Sequence, residues 1–348
     1  MQVDLFSLVQ KRDGSTTDRA VWDDLAAQVR LAEEVGFGTA WVAEHHFNTY
    51  SLSPSPLVTC AWLAGRTERI RLGTGAVILP LYDPVRLVEE IAQVDLLSGG
   101  RLVLGIGSGY QESEFRRFGQ TLDESVARTL EILDVIELAM TGDDFSYEGA
   151  HYRIPEMRIA APALQRPTPP IWVTGLTRSP DVQRRLARSG YVPFFTANWH
   201  PIGTFAPVRA AYDEVLRDVG RDPATAPLGV LRIVQVVGSK AEARDVVERA
   251  RWSTRVSIGL RFGYGRFDGQ YPIEEPARDE PDVDAMERSM IVGDWETCVE
   301  RIIEDHAVLG HSHLACNMHI GGMPLDRTLR SIEALGTQVM PAVNAELA

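Results

Sequence analysis

The stretch AEHHF, residues 43–47, sets Glu44, His45 and His46 side by side directly after the apolar run TAWV. Two imidazoles next to a carboxylate suit three kinds of chemistry: a shared metal ion, a base working near neutral pH, or polar groups that pair with one another at a strand end. Neighbouring residues of an extended strand point to opposite faces. If the strand continues through residue 46, one ion cannot collect both rings, and the metal reading loses ground. His311, His313 and His319 share parity and form the other metal-type spacing. His311, however, precedes its strand while His319 lies near the strand's far end, and no HExxH or carboxylate-ligand motif accompanies them.

Two glycine-bearing stretches add candidates. GIGSG (105–109) follows an apolar run, and glycine lets a backbone come close to a ligand. It is GxGxG on the fourth strand–helix unit, whereas the dinucleotide fingerprint is GxGxxG on the first, with an acid about 20 residues further on. What remains is a tight strand-to-loop turn or a seat for a flat cofactor. VTGLTRSPD (173–181) offers the hydroxyls of Thr174, Thr177 and Ser179, the forked donor of Arg178 and the amide groups of a helix start. Together these suit a phosphate, and ordinary N-capping by Ser179 ahead of Pro180 explains them equally well. Phe194, Phe195, Trp199, Phe262 and Tyr264 are candidates for an apolar pocket or for plain core.

The elements that must position these residues alternate regularly. Apolar runs at 3–8, 39–44, 69–80, 101–107, 169–175, 191–196, 229–238 and 313–320 read as strands, and each is followed by a helical pattern. The first helix, 18–35, carries Trp22, Leu25, Val29 and Ala32 on one stripe and closes at Gly36; Ser55–Pro56 and Asp83–Pro84 open the second and third. The helix after the seventh strand is expected over 240–255. Residues 142–169 are irregular, with room for a small hairpin, and residues 256–292, rich in Gly, aromatics, Asp and Pro, look like an insertion before the last βα unit. This order predicts an α/β fold, a TIM (β/α)8 barrel forming a single domain over 1–348, with a doubly wound sheet as the alternative. In a barrel the chemistry sits on loops at the C-terminal ends of the strands, which is where AEHHF falls.

Composition narrows the partners. The chain has 348 residues, 45% hydrophobic and 24% charged, and a formal net charge of −13, which argues against broad binding to a phosphate backbone. Cys60, Cys298 and Cys316 are odd in number and widely spaced, with no CxxC pair, so neither a disulfide framework nor a zinc ribbon is expected. The N-terminus does not read as a secretory signal, and no apolar run is long enough to span a bilayer. A cytoplasmic protein with no nucleic-acid or membrane partner is the expectation.

With these residues in view, GFGTAWVAEHHF, GTGAVILPLYDPVRLVEEIAQVDLLSGGRLVLGIGSG and EFRRFG together resemble the bacterial luciferase-like flavin monooxygenases, luciferase alpha chains in particular. VGDWETCVERI and MPLDRTLRSIE resemble that family's closing βα region. The resemblance implies an enzyme that binds reduced FMN at the strand C-termini and receives it from a separate flavin reductase. Oxygen would add at the flavin C4a to give a peroxyflavin that oxidises a small organic substrate, apolar or carbonyl-containing. His45 is implied as catalytic, acting as base or steadying the peroxide. Glu44 would orient it or line the flavin, and His46 would support the wall. The resemblance also implies flavin contacts from Gly75, Ala76, Gly107 and Gly175, with a non-proline cis peptide at Gly75–Ala76. Ser108, Thr177, Arg178 and Ser179 would meet the ribityl and phosphate groups.

Two departures stand out: Gly107 lies where luciferase alpha chains have a reactive cysteine, and Ser108 where they have a phosphate-binding arginine, which Arg178 would replace. Oxygenation is therefore the expectation more than light emission or a long-chain aldehyde substrate. A deazaflavin-dependent hydride-transfer enzyme on the same barrel and a non-catalytic flavin-binding paralogue are the alternatives. A homodimer is implied.

Overall fold

The computed structural model describes residues 1–175, 180–278 and 280–348. Eight parallel strands close into a barrel: β1 (Gln2–Ser7), β2 (Thr39–Val42), β3 (Arg71–Thr74), β4 (Leu102–Gly107), β5 (Ile171–Thr174), β6 (Val192–Asn198), β7 (Gly229–Val236) and β8 (His313–Asn317). Each pairs with its successor, and β8 returns to β1 in the register Val3↔Leu314. The main helices are α1 (Asp18–Glu34), α2 (Pro56–Ala64), α3 (Pro84–Leu97), α4 (Glu112–Arg117), α5 (Ser125–Met140), α6 (Pro180–Ser189), α7 (Ala206–Asp218), α8 (Lys240–Arg261), α9 (Val283–Ser289), α10 (Trp295–Leu309) and α11 (Leu325–Ala334). The fold is the TIM barrel that the alternation predicts. Among the described residues no helix is long and apolar enough to cross a membrane.

Local chemistry fixes the helix starts. Ser55 accepts from the Val58 amide with Pro56 at the first turn, and Asp83 accepts from the Arg86 amide with Pro84 behind it. Gly36 takes φ +91 just past α1, a conformation open to glycine at little cost. A hairpin of Phe145–Glu148 against Arg153–Met157 fills the irregular stretch after α5. Two boundaries differ from the sequence expectation. The third strand stops at Thr74 and resumes only as Val77–Ile78, with the Gly75–Ala76 cis bond between the pieces. Helix α8 runs six residues past 255, because Val256, Gly259 and Leu260 keep its buried side against the barrel mouth and the following chain.

The barrel interior is a packed layer. Phe6, Trp41, Val103, Trp172, Phe194, Leu231 and Ala315 face inward from successive strands. Trp41 lies 4.9 Å from Trp172 and 5.2 Å from Phe194, ring centre to ring centre. The missing member of the layer is Gly73 on β3, where a Cβ would stand 2.3 Å from the Trp41 ring. The indole therefore occupies the space that glycine leaves. Beneath it, Trp41 Nε1 donates to Asp4 Oδ2 at 3.2 Å, so the buried polar edge of the ring is satisfied. The outward residues of the same strands, Leu5, Ala40, Leu72, Leu104 and Val173 among them, meet the helices. Strands covered on both sides need apolar residues at both parities.

Between β3 and β4 the ladder pairs only Leu72–Leu102 and Gly73–Val103 before it opens. The Thr74 hydroxyl bridges the gap, donating to Gly105 O at 2.7 Å and accepting from Gly105 N at 2.9 Å. A Cβ at Gly105 would lie 1.9 Å from the Thr74 carbonyl oxygen, a backbone atom that no rotamer change can move. Gly105→Ala is therefore expected to cost about 3 kcal/mol or more, at or beyond the upper end of ordinary overpacking. The midpoint of urea unfolding measures it, and a variant as stable as the parent would show that β3 and β4 separate freely.

One buried histidine makes stability pH-dependent. His311, just before β8, is fully buried, and neither ring nitrogen has a hydrogen-bond partner among the described residues. Burial, helped by His306 and Arg232, pushes its pKa from the ordinary 6.5 down to about 3. The folded chain thus refuses a proton that the unfolded chain accepts. Stability contributed by neutral His311 is present above about pH 6.5 and is lost, at up to about 1.4 kcal/mol per pH unit, as pH falls toward 3. Unfolding curves at pH 7 and pH 5 should separate accordingly, and His311→Leu should narrow that separation.

Candidate active site

Strand β2 ends at Val42, so residues 43–47 form a loop and the two histidines separate by turning, not by strand alternation. Phe47 closes the turn at φ +67. The His46 ring goes to Glu44, Nε2 to Oε1 at 3.0 Å, and packs edge-on against Phe118. Glu44, nearly fully buried, also accepts from Tyr82 OH at 2.8 Å and from the Ile78 amide at 3.2 Å. Burial raises its pKa above the ordinary carboxylate range, while His46, Tyr82 and Ile78 pull the other way. Glu44 therefore ties the β2 loop to the segment after the cis bond. Its direct partner is His46, whereas the resemblance implied that it orients His45 or lines the flavin.

His45 is held by Tyr50, Tyr110, Gln111 and Glu114, the last of which opens the EFRRFG stretch. Its ring is buried, with Tyr50 at 5.1 Å and Tyr110 at 5.7 Å between ring centres. Glu114 Oε1 stands 3.3 Å from Nδ1 and also accepts from the His46 amide at 2.8 Å. Gln111 Nε2 is placed 2.9 Å from the same Nδ1, and its Oε1 lacks a partner among the described residues. A carboxylate opposite a bare Nδ1 lone pair would be repelled. The proton therefore belongs on Nδ1, donating to Glu114, with the Gln111 amide turned so that its oxygen also accepts. That leaves the Nε2 lone pair facing Tyr110 OH at 3.4 Å. Burial raises the Tyr110 pKa well above the tyrosine range, so its hydroxyl keeps its proton and donates.

Glu114 is nearly fully buried on the short α4, and its Oε2 has no partner among the described residues. In sequence it looks like a surface acid in the first turn of a helix, the common use of glutamate there. Its legible signal is its place at the head of EFRRFG, one of the stretches that carry the family resemblance.

Beside this cluster the tops of β3 and β4 carry glycines on their inward face. Gly75, Gly105 and Gly107 share the inward parity of Gly73 and Val103. The lower glycines make room for Trp41 and the Thr74 carbonyl. A Cβ at Gly107, the highest, would meet Thr174 Cγ2 at 3.3 Å and Ala76 Cβ at 3.7 Å, and one at Gly175 would meet nothing within 4 Å. The resulting ledge, bare but for the Thr174 and Ala76 methyls, suits a flat ring. Ala76 and Ser108 are buried at its edge. The Gly75–Ala76 bond is cis, as the resemblance implies. Thr177, Arg178 and Ser179 lie outside the described residues.

The aromatic candidates divide. Phe194 and Phe195 are core, on opposite faces of β6, and Trp199 lines a recess at the mouth. Phe262 is 70% exposed and Tyr264 is partly exposed, in the stretch between α8 and a hairpin, Arg266–Asp268 against Tyr271–Ile273. That hairpin is fastened over the β2 loop, where Thr49 N donates to Gln270 O at 3.0 Å.

Comparison with known proteins agrees with this geometry. The model of the luciferase-like monooxygenase family matches residues 1–312. An uncharacterised protein of Sinorhizobium fredii is 35% identical over 100% of this chain and 99% of its own length. The oxygenase component of a flavin-dependent trigonelline monooxygenase from Acinetobacter baylyi is 24% identical, covering 98% of this chain and 95% of its own. Among solved structures, a monooxygenase from Streptomyces bottropensis superposes with a TM-score of 0.86 at 23% identity, over 98% of this chain and 99% of its own. The oxygenating constituent of 3,6-diketocamphane monooxygenase from Pseudomonas putida, in complex with FMN, gives 0.79 at 20% identity, over 98% of each chain. An F420-dependent secondary alcohol dehydrogenase gives 0.73 at 17%, again over 98% of each. The chain is a member of the luciferase-like monooxygenase family.

Proposed function

We propose that this protein is the oxygenase half of a two-component system, taking reduced FMN from a separate flavin reductase and using it with O2 to oxidise a small organic molecule. Reduced flavin, when bound, supplies the two electrons that activate oxygen. The ledge of Gly75, Ala76, Gly107, Ser108 and Gly175 would hold its ring system, with Thr177, Arg178 and Ser179 proposed for its phosphate end. His45 is the catalytic group, accepting or returning a proton at Nε2, and Glu44 keeps the wall behind it through His46. The observation that carries this reading is the orientation of His45: a buried imidazole with Nδ1 held by an acid and Nε2 turned to Tyr110 OH, beside a ledge built largely on glycines. Such a base works best where water is kept away. The three cysteines are unpaired and buried, in keeping with a cytoplasmic setting. Helix α2 has no charged residue and leaves Val58 67% exposed, a face that a second copy in a homodimer would cover.

The test is anaerobic titration with reduced FMN, with reduced F420 in parallel, followed by rapid mixing with O2. Reduced FMN is expected to bind, and the return of oxidised-flavin absorbance to be slowed at least tenfold relative to free reduced FMN. Preference for F420 would move the protein to deazaflavin hydride transfer. Reoxidation at the free-flavin rate would make it a binding protein without oxygenase chemistry.

A further inference from the structure

His45 stands at the end of a row of hydroxyls. Its Nε2 lone pair faces Tyr110 OH at 3.4 Å, and its ring lies against that of Tyr50. The Ser257 hydroxyl, on α8, hydrogen-bonds to both phenols, and Tyr50 OH also meets the hydroxyl of Ser253, one turn earlier on the same helix. Ser253 Oγ accepts from Gln10 Nε2 at 2.7 Å. Gln10 Oε1 in turn accepts from the Gly321 amide at 3.1 Å. The row runs Gln10, Ser253, Tyr50, Ser257, Tyr110, His45, and so crosses the mouth from the loops after β1 and β8 to the loop after β2.

Both ends fix its direction. A backbone N–H only donates, so Gln10 presents its oxygen to Gly321 and its NH2 group to Ser253. Ser253 Oγ is an acceptor at that contact, which leaves its own proton for Tyr50. Tyr50 then donates to Ser257, Ser257 to Tyr110, and Tyr110 to His45 Nε2, which accepts because the ring proton sits on Nδ1 opposite Glu114. When Nε2 takes up a proton, this direction must reverse: the imidazolium donates to Tyr110, and Tyr110 OH turns to Ser257. The Gln10 end cannot take the excess proton, since an amide does not titrate. Tyr50 and Ser253 are buried, whereas Ser257 is half-buried and lines the open recess at the mouth. The row therefore reaches water at Ser257. The charged side chains that face it are Glu114, beside both phenols, and Arg261, 5.4 Å over the Tyr110 ring; both flank the row without entering it.

We infer that Ser257 is a proton-relay residue, which through Tyr110 passes to water the proton that His45 takes at Nε2 and brings one in when His45 gives one up. This rests on the oxygenase reading of the site. In the outward direction the His45 Nε2–H bond breaks as a new Tyr110 O–H bond forms, the former Tyr110 proton goes to Ser257 Oγ, and the former Ser257 proton leaves to water. Both hydroxyls end neutral, with their hydrogen bonds reversed. Protons can thus be exchanged without admitting water beside the ledge, where it would open side reactions.

The test follows the His45 ring itself, by NMR of the full chain carrying isotope-labelled histidine, with His45→Gln supplying the assignment. A pH titration then reads how fast the ring exchanges its proton with water. Ser257→Ala is expected to slow that exchange by about tenfold, the worth of one lost hydrogen bond in the path, with the unfolding midpoint and FMN affinity of the parent. Tyr110→Phe, which cuts the same path one link nearer to His45, should slow it as much. Ser257→Thr, which keeps the hydroxyl, should exchange as the parent does, and free imidazole in the buffer should restore exchange in the alanine variant by carrying the proton. Exchange in Ser257→Ala as fast as in the parent would overturn the relay, and so would slow exchange that imidazole does not restore. The oxygen reaction of the same samples keeps the two readings apart. Slow exchange in Ser257→Ala, with the parent reoxidising at the free-flavin rate, removes only the oxygenase assignment. Slowed reoxidation in the parent, with His45 exchange unchanged by the substitution, removes only the relay.

Discussion

His45→Ala is expected to leave reduced-FMN binding within a few-fold of the parent while lowering coupled oxygenation by about 10²–10⁴-fold, the usual worth of a positioned acid–base group. The separation follows from where the ring sits. The glycine ledge proposed for the flavin is made by β3, β4 and β5, whereas His45 hangs from the β2 loop by its own amide, which donates to Ser53 O at 3.2 Å. Removing the ring therefore deletes a proton-handling nitrogen and little of the cradle. It also frees Tyr110 OH from its Nε2 acceptor, so some loss of water exclusion accompanies the chemical loss. Stopped-flow return of oxidised-flavin absorbance gives the first readout, hydrogen peroxide release the second. His45→Gln, which fills the space without transferring protons, should behave like alanine. If either variant holds its bound reduced flavin against oxygen as long as the parent does and releases no more peroxide, His45 is part of the wall and not of the chemistry.

The parts of this site that were legible in the sequence are those set by backbone rules. The glycines of GTGA and GIGSG mark places where a backbone can come close to a ligand. The alternation of apolar runs and helical stripes favours a barrel over a doubly wound sheet, and the barrel puts AEHHF at its mouth. What the sequence could not supply was partnership across distance. Glu44 and His46 share a face by simple alternation, but the other contacts of Glu44, with the Ile78 amide and Tyr82 OH, lie 34 and 38 residues away, where no local pattern points. Phe262 and Tyr264 looked like pocket residues because an aromatic type says nothing of which way its segment faces; α8 continues to Arg261 and leaves Phe262 outside. Ser257 meets the two phenols because α8 runs past 255, where the sequence pointed to an irregular insertion.

Glu114 is the sharpest case of such a hidden partner, and its replacement has the second-largest expected effect. Its one engaged oxygen does two jobs, accepting from the His46 amide and from His45 Nδ1. Glu114→Gln keeps an oxygen for the amide but removes the negative charge that stabilises His45 when Nε2 takes a proton. Removing the carboxylate from a Ser-His-Asp site costs about 10⁴-fold. Here the contact is longer, 3.3 Å, and Gln111 shares the Nδ1 proton, so about 10²-fold is expected. Stability should change little, because the amide hydrogen bond survives. Glu114→Ala should lose the same activity and in addition about 1–3 kcal/mol of stability, since the buried His46 N–H is then left without an acceptor. The two variants together separate charge from scaffolding. A structural role alone predicts loss only in the alanine variant, in step with its lower unfolding midpoint. A positioning role predicts that the glutamine variant, folded as well as the parent, still loses the pH dependence that His45 contributes to oxygenation. A glutamine variant with the parent's pH profile and turnover would leave Nδ1 to Gln111 and remove Glu114 from the site.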